Sequence, residues 1–165
     1  MVARKQVSRV LLGLLIFAVA MVGLQTLTSC DLAGSKSEDS LKGYWKSSYE
    51  DGFEIYYENL DLKYKQYDNA AKTVSFAGNV VNNPDLTASS GYIIIKITDG
   101  GTWGKTVNAY YACHWKEFTG DTVKGSAAFK VGGTNNDGMP TAEAAAAEYT
   151  VENGYYTFYG TYQRQ

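Results

Sequence analysis

Thr73-Val74-Ser75-Phe76-Ala77-Gly78-Asn79-Val80-Val81 decides the fold of this chain. Val74, Phe76, Gly78 and Val80 share one face, whereas Thr73, Ser75, Ala77 and Asn79 share the other. A period of two residues is the pattern of a β-strand with one face turned to a core. Val123, Gly125, Ala127 and Phe129 repeat it, again with a small residue at the centre. Small residues in mid-strand suit the tapering interior of a barrel, or a strand that bends.

Outward from this stretch, runs rich in Tyr, Thr, Val and Ile alternate with turn residues every ten positions or so, the mark of a sandwiched or closed antiparallel sheet. Strands are predicted at 44–49, 53–58, 61–66, 73–81, 91–98, 107–116, 122–131 and 155–163. Glu50-Asp51-Gly52, Asn82-Asn83-Pro84-Asp85, Asp99-Gly100-Gly101 and Thr119-Gly120-Asp121 supply the breaks, because Gly and Asn tolerate positive φ and Pro holds φ fixed at a negative value. Residues 141–149 depart from the pattern. Their Ala and Glu are strong helix formers, and Pro140 and Thr141 give a start signal. The expectation is an all-β fold: a roughly eight-stranded antiparallel barrel with one short helix before the last strand.

The first 29 residues are built differently. Arg4, Lys5 and Arg9 precede the apolar run 10–24, and the small residues Thr28 and Ser29 follow it, which is the order of an export signal. Leu27-Thr28-Ser29-Cys30 resembles the lipobox of bacterial lipoproteins. That resemblance implies that Cys30 receives a diacylglyceryl group and becomes the first residue after cleavage. The alternative is an uncleaved membrane helix, since 10–27 reaches the roughly 18 residues that allow a span. Lipid on Cys30 would tether the protein to a bacterial membrane without spanning it, because two or more acyl chains hold stably where one does not. The address is the cell envelope, facing the periplasm or the cell surface; Asp31 after the Cys resembles an inner-membrane retention signal of enteric bacteria.

The chain then divides into a signal at 1–29, a lipidated Cys with a flexible tether at 30–42, and a barrel domain at 43–165. Loss of Arg4, Lys5 and Arg9 leaves 12 of the 15 basic residues against 17 acidic ones, a formal charge near −5. A nucleic-acid binder needs the opposite balance. With Cys30 lipidated, Cys113 has no disulfide partner and is expected in the core as a small hydrophobe.

Gly43-Tyr44-Trp45, at the head of the first strand, resembles the Gly-x-Trp signature of lipocalins and related calycin barrels. In that family the Trp packs at the closed end and a basic residue near the last strand lies over its ring. The resemblance therefore implies a barrel-closing pair of Trp45 and Arg164. A second likeness, to uncharacterised bacterial lipoproteins with a small lipocalin-like barrel, rests on Gly52-Phe53-Glu54-Ile55, Gly91-Tyr92-Ile93-Ile94-Ile95-Lys96, Ala109-Tyr110-Tyr111 and Tyr155-Tyr156. It implies no activity.

Several short motifs point to chemistry that the surrounding sequence denies. Asp99-Gly100-Gly101-Thr102-Trp103-Gly104-Lys105-Thr106 ends like a phosphate-binding loop, but such a loop must open a helix, and residues 107–116 read as strand. Cys113 and His114 are neighbours on a strand and so point to opposite faces, His114 outward or at the rim. One His and no Cys pair make no zinc site. Asn135-Asn136-Asp137-Gly138 lacks the alternating acids of a calcium loop and reads as a turn. Of the clustered acids Glu50, Asp51, Glu54, Glu58 and Asp61, three lie in or beside turns, and the cluster reads as solvated charge. No metal, cofactor or catalytic set is implied, and the protein is expected to act without catalysis.

The chain has 14 Tyr, 3 Trp and 6 Phe, an abundance explained either by strand propensity or by a binding surface. One reading is a cavity open at one end of the barrel for a small apolar or aromatic ligand, lined by Tyr92, Tyr111, Trp115 and Phe129. The other is a filled barrel whose exposed Tyr side chains contact a host or envelope protein.

Overall fold

A computed structural model describes residues 40–165. The signal, Cys30 and most of the expected tether lie outside the described residues. Eight strands form one closed barrel in chain order: β1 (Gly43–Ser47), β2 (Gly52–Glu58), β3 (Asp61–Tyr67), β4 (Val74–Val80), β5 (Gly91–Asp99), β6 (Tyr110–Lys116), β7 (Thr122–Ala127) and β8 (Gly160–Arg164). Every neighbouring pair is antiparallel, including β8 with β1, so no strand edge is left open. Among the described residues a single helix, α1 (Ala142–Glu148), precedes β8.

The alternation read from β4 sets the interior. Phe76 stands opposite Gln66, and Gly78 stands opposite Tyr64 on one side and Ile97 on the other. A side chain at Gly78 would strike the Lys96 carbonyl and the Ile95 methyl, and the ladder shifts register there, between Ala77 and Gly78. The small residue therefore marks a bulge that lets β5 approach, and the Tyr64 ring fills the space beside it.

Rings occupy much of the barrel. Trp45 stacks on Phe53 at 6.1 Å, Phe53 on Tyr64 at 6.0 Å and Tyr64 on Phe76 at 5.6 Å, with interplanar angles of 17°, 12° and 24°. Tyr111 and Tyr162 meet this column edge-on at 5.3 and 5.1 Å. Offset and edge-to-face pairs each contribute about 0.5–1.5 kcal/mol beyond the area they bury. Much of the unexpected aromatic content is thus core.

Ile93, Ile94 and Ile95 are all buried, although only Ile93 and Ile95 face inward. Helix α1 explains the third. It lies on the outer face of β5 and β6, where Ala146 and Tyr149 border Ile94, so this part of the sheet is covered on both sides. Thr141 caps the helix by accepting the Ala144 N–H at 3.1 Å. Ala145 is its buried contact.

Three predicted strands are shorter than expected. β6 begins at Tyr110, because Asn108 turns through positive φ and Val107 is exposed. β7 ends at Ala127, and β8 begins only at Gly160. Their mutual pairing stops at Gly125 with Gly160. Beyond that point Ala128 bonds to Ala112, Phe129 bonds to Tyr155, and the chain leaves the barrel to build α1. The packed structure also reaches back past Gly43. Ser40 and Leu41, assigned to the tether, are buried, and the Leu41 N–H donates to Leu86 at 2.7 Å.

At the closing seam the Arg164 guanidinium lies 4.4 Å from the centre of the Trp45 ring. It donates to the carbonyls of Ser40, Lys42 and Gly120 at 2.6, 2.8 and 2.8 Å. The Trp45 indole N–H donates to Leu41 at 2.9 Å. Trp45→Ala removes the base of the ring column and is expected to destabilise the full chain by about 3–5 kcal/mol, read from the urea midpoint.

Candidate functional site

The parting of β7 from β8 opens a cavity of about 490 Å³. Gly125, Ser126 and Ala127 line it from β7, and Gly160 and Tyr162 line it from β8. Tyr111 forms part of its wall, and its hydroxyl donates to the Ala128 carbonyl. Phe129, Tyr155 and Phe158 close over it from the excursion that carries α1. Phe129 and Phe158 are 50 % and 70 % exposed, so they form a rim rather than a floor.

The β5–β6 hairpin loop supplies the opposite side, with Trp103 and Lys105. Asp68 fixes Trp103 by accepting its indole N–H at 2.8 Å, together with the hydroxyls of Thr102 and of Ser75, the latter at 2.5 Å. Burial works against the Asp68 charge, but these hydrogen bonds outweigh it and hold the carboxyl below its usual range. Trp103 then meets Phe76 at 5.5 Å and joins the rim to the ring column.

Lys105 is the cavity's buried cation, 8 % exposed. Its ammonium donates to the Asn136 carbonyl and stands 4.1 Å from the Tyr111 ring centre and 5.7 Å from that of Trp103. Burial lowers its pKa, against the opposing pull of Asp137. Among the described residues it makes no ion pair.

The four expected lining residues part company here. Tyr111 and Phe129 line the large cavity. Trp115 faces inward but is packed over Gly91, with its indole N–H on the Ala88 carbonyl at 3.0 Å, and borders only a space of about 80 Å³. Tyr92 is on the outer face, contrary to expectation. It stands opposite His114, and the inward positions of β5 belong to the isoleucines on either side of Ile94. Lys105, Trp103, Tyr155, Phe158 and Tyr162 were missed. All but Tyr162 lie in loops, where no periodicity reports facing.

The other motifs resolve simply. Asp99 ends β5, and residues 100–106 lie in the β5–β6 loop, which leads into strand and not helix. Cys113 is buried inside the barrel, which pushes its thiol up to about 12 despite the opposing effects of Tyr64 and Lys105. Asn136 spends its side chain on Lys130 and Gly133 within its own loop. Glu50 pairs with Lys46 at 2.6 Å, Asp61 with Lys63 at 3.5 Å, and Glu54 and Asp51 accept the hydroxyls of Tyr67 and Tyr162 at 2.8 and 2.9 Å. Among the described residues no three His, Cys, Asp or Glu side chains gather as a metal site, and no helix is long and apolar enough to cross a membrane.

His114 lies on the outer face beneath the excursion. Its ring packs on Tyr92 at 4.5 Å and Tyr156 at 5.3 Å, and Nδ1 is 2.7 Å from the Tyr159 hydroxyl. Burial and then Lys116 lower its pKa below 6.5, while Glu152 opposes them. The Tyr156 hydroxyl is buried with no hydrogen-bond partner among the described residues.

Comparison with known proteins finds no matching family model, curated protein or solved structure.

Two outcomes follow from the outer cluster. The unfolded chain protonates His114 more readily than the folded one, so its contribution to stability is complete above about 6.5 and is lost as pH falls through the depressed folded pKa. The urea midpoint of the full chain should therefore drop between about pH 7 and about pH 5, and His114→Gln should flatten that drop. Tyr156→Phe removes an unsatisfied hydroxyl and should raise stability by about 1 kcal/mol in the same assay.

Proposed function

We propose that this chain is a non-catalytic lipoprotein of the cell envelope, anchored through lipid on Cys30, that binds a small apolar or aromatic ligand at the mouth of its barrel. The cavity between β7 and β8 carries the reading. Its volume of about 490 Å³ lies within the roughly 300–1,000 Å³ usual for small-ligand sites. Six aromatic side chains border it: Trp103, Tyr111, Phe129, Tyr155, Phe158 and Tyr162. All four of their polar tips are already engaged: the Trp103 indole N–H donates to Asp68. Tyr111 donates to Ala128, Tyr155 donates to Glu148 at 2.6 Å, and Tyr162 donates to Asp51. With those tips held by protein partners, the rings offer mainly apolar faces to a guest. Three rings at the rim, Trp103, Phe129 and Phe158, remain exposed without one.

The surface-contact reading draws on the β2–β3 hairpin tip, where Tyr57 and Leu60 are 60 % and 95 % exposed. One measurement separates the two. Native mass spectrometry of the full chain isolated from its host membrane should show a retained small molecule beyond the lipid mass. Ala127→Phe, which fills the cavity from β7, should lose that adduct and keep the lipid. Wild-type chain that carries no adduct would shift the reading to the hairpin tip.

A further inference from the structure

We infer that the ligand carries one anionic group and that Lys105 receives it. This rests on the cavity reading above and names the chemistry of its guest.

An ammonium has three N–H donors. Lys105 gives one to the Asn136 carbonyl and turns toward the electron-rich face of Tyr111, and no further acceptor is found for it among the described residues. Burying a cation without a counter-charge is costly, and the Asn136 carbonyl and the two ring faces only partly offset that cost. A guest anion would satisfy the remaining donors and remain in a water-poor setting where charge-assisted hydrogen bonds are strong. The rest of the cavity wall favours a flat apolar body, since Trp103, Phe129, Tyr155 and Phe158 present rings to it. The lowered pKa of Lys105 agrees with an ammonium whose water has been removed and not replaced by a carboxylate.

Among the described residues Asp137 is the one acid that lines the cavity. It is exposed, so water screens it, and it stands outside ion-pairing distance of Lys105. It would weaken an incoming anion without replacing it.

The pair 2-naphthoate and 2-naphthamide tests this, because the two share a body and differ in charge. Calorimetric titration uses the full chain in nonionic detergent micelles, with the heats of protein-free micelles subtracted. Wild-type chain should bind the naphthoate at least about tenfold more tightly, the scale of one charge-assisted hydrogen bond. Lys105→Met should bring the naphthoate affinity down to that of the naphthamide, and naphthamide binding that stays measurable shows that the cavity persists. Asp137→Asn should widen the naphthoate preference. Equal affinities in the wild type, or a preference that survives Lys105→Met, would overturn the assignment of an anion to Lys105 while leaving the cavity reading intact. Failure of both compounds to bind any of the three proteins would overturn the cavity reading along with it.

Discussion

Three backbone carbonyls, from Ser40, Lys42 and Gly120, converge on the guanidinium of Arg164, and the Trp45 ring lies beneath it. The closing of the barrel depends on this point. β1 and β8 are paired over only three register positions, Trp45 with Arg164, Lys46 with Gln163 and Ser47 with Tyr162. A seam that short needs help from side chains. Arg164 joins the segment before β1, the β6–β7 loop and the last strand through one planar group, which a lysine's single rotatable ammonium could not match in geometry. Trp45 beneath it begins the ring column that runs through Phe53 and Tyr64 to Phe76. Closure and core are thus one structure, joined at one residue pair.

A barrel closed firmly at one seam can be relaxed at another. β7 and β8 pair only from Thr122 with Gln163 to Gly125 with Gly160, and the residues beyond diverge. The rings of the column leave only a space of about 80 Å³ within the barrel, and the larger cavity of about 490 Å³ lies at the gap. The excursion between β7 and β8 then folds over the outside. It covers Ile94 with α1 and His114 with Tyr156 and Tyr159, and it brings Phe129, Tyr155 and Phe158 to the cavity rim. One departure from regular pairing makes both the cavity and its cover.

What could be read from the chain follows from which forces act locally. Alternation exposed the strands, and Thr141 followed by an Ala-rich run announced the helix, because each depends on neighbours in sequence; Gly78 suggested a taper or a bend, and the structure has a bulge there. The Trp45 and Arg164 contact lay within reach only through the lipocalin likeness, since 119 positions separate the two. Tyr92 was misjudged because its strand is buried on both faces: Ile93, Ile94 and Ile95 give no contrast by which to tell inside from outside. Phe129 continued an alternation whose strand ends at Ala127, so it reaches the cavity rim from beyond the ladder. The loop residues of the cavity carried no signal of position, for their placement depends on the Asp68 hydrogen bonds and on where β7 and β8 part.

Lys105 shows how one residue type can mislead in two directions. Next to Gly104 and Thr106 it completes the outline of a phosphate loop, yet a phosphate loop binds mainly through the amides that open a helix, and here strand β6 follows. With those amides absent, the lysine is left to act by its own charge. The same Gly-rich loop that made the likeness lets the backbone fold tightly: Gly101 adopts positive φ, and a side chain there would strike the Ser75 carbonyl on β4. Held that close to the barrel wall, Lys105 reaches inward over Tyr111 instead of outward into water. A cation in that position carries a desolvation cost that its two aromatic neighbours only partly offset. A site for an anion with an apolar body is the arrangement in which that cost is repaid.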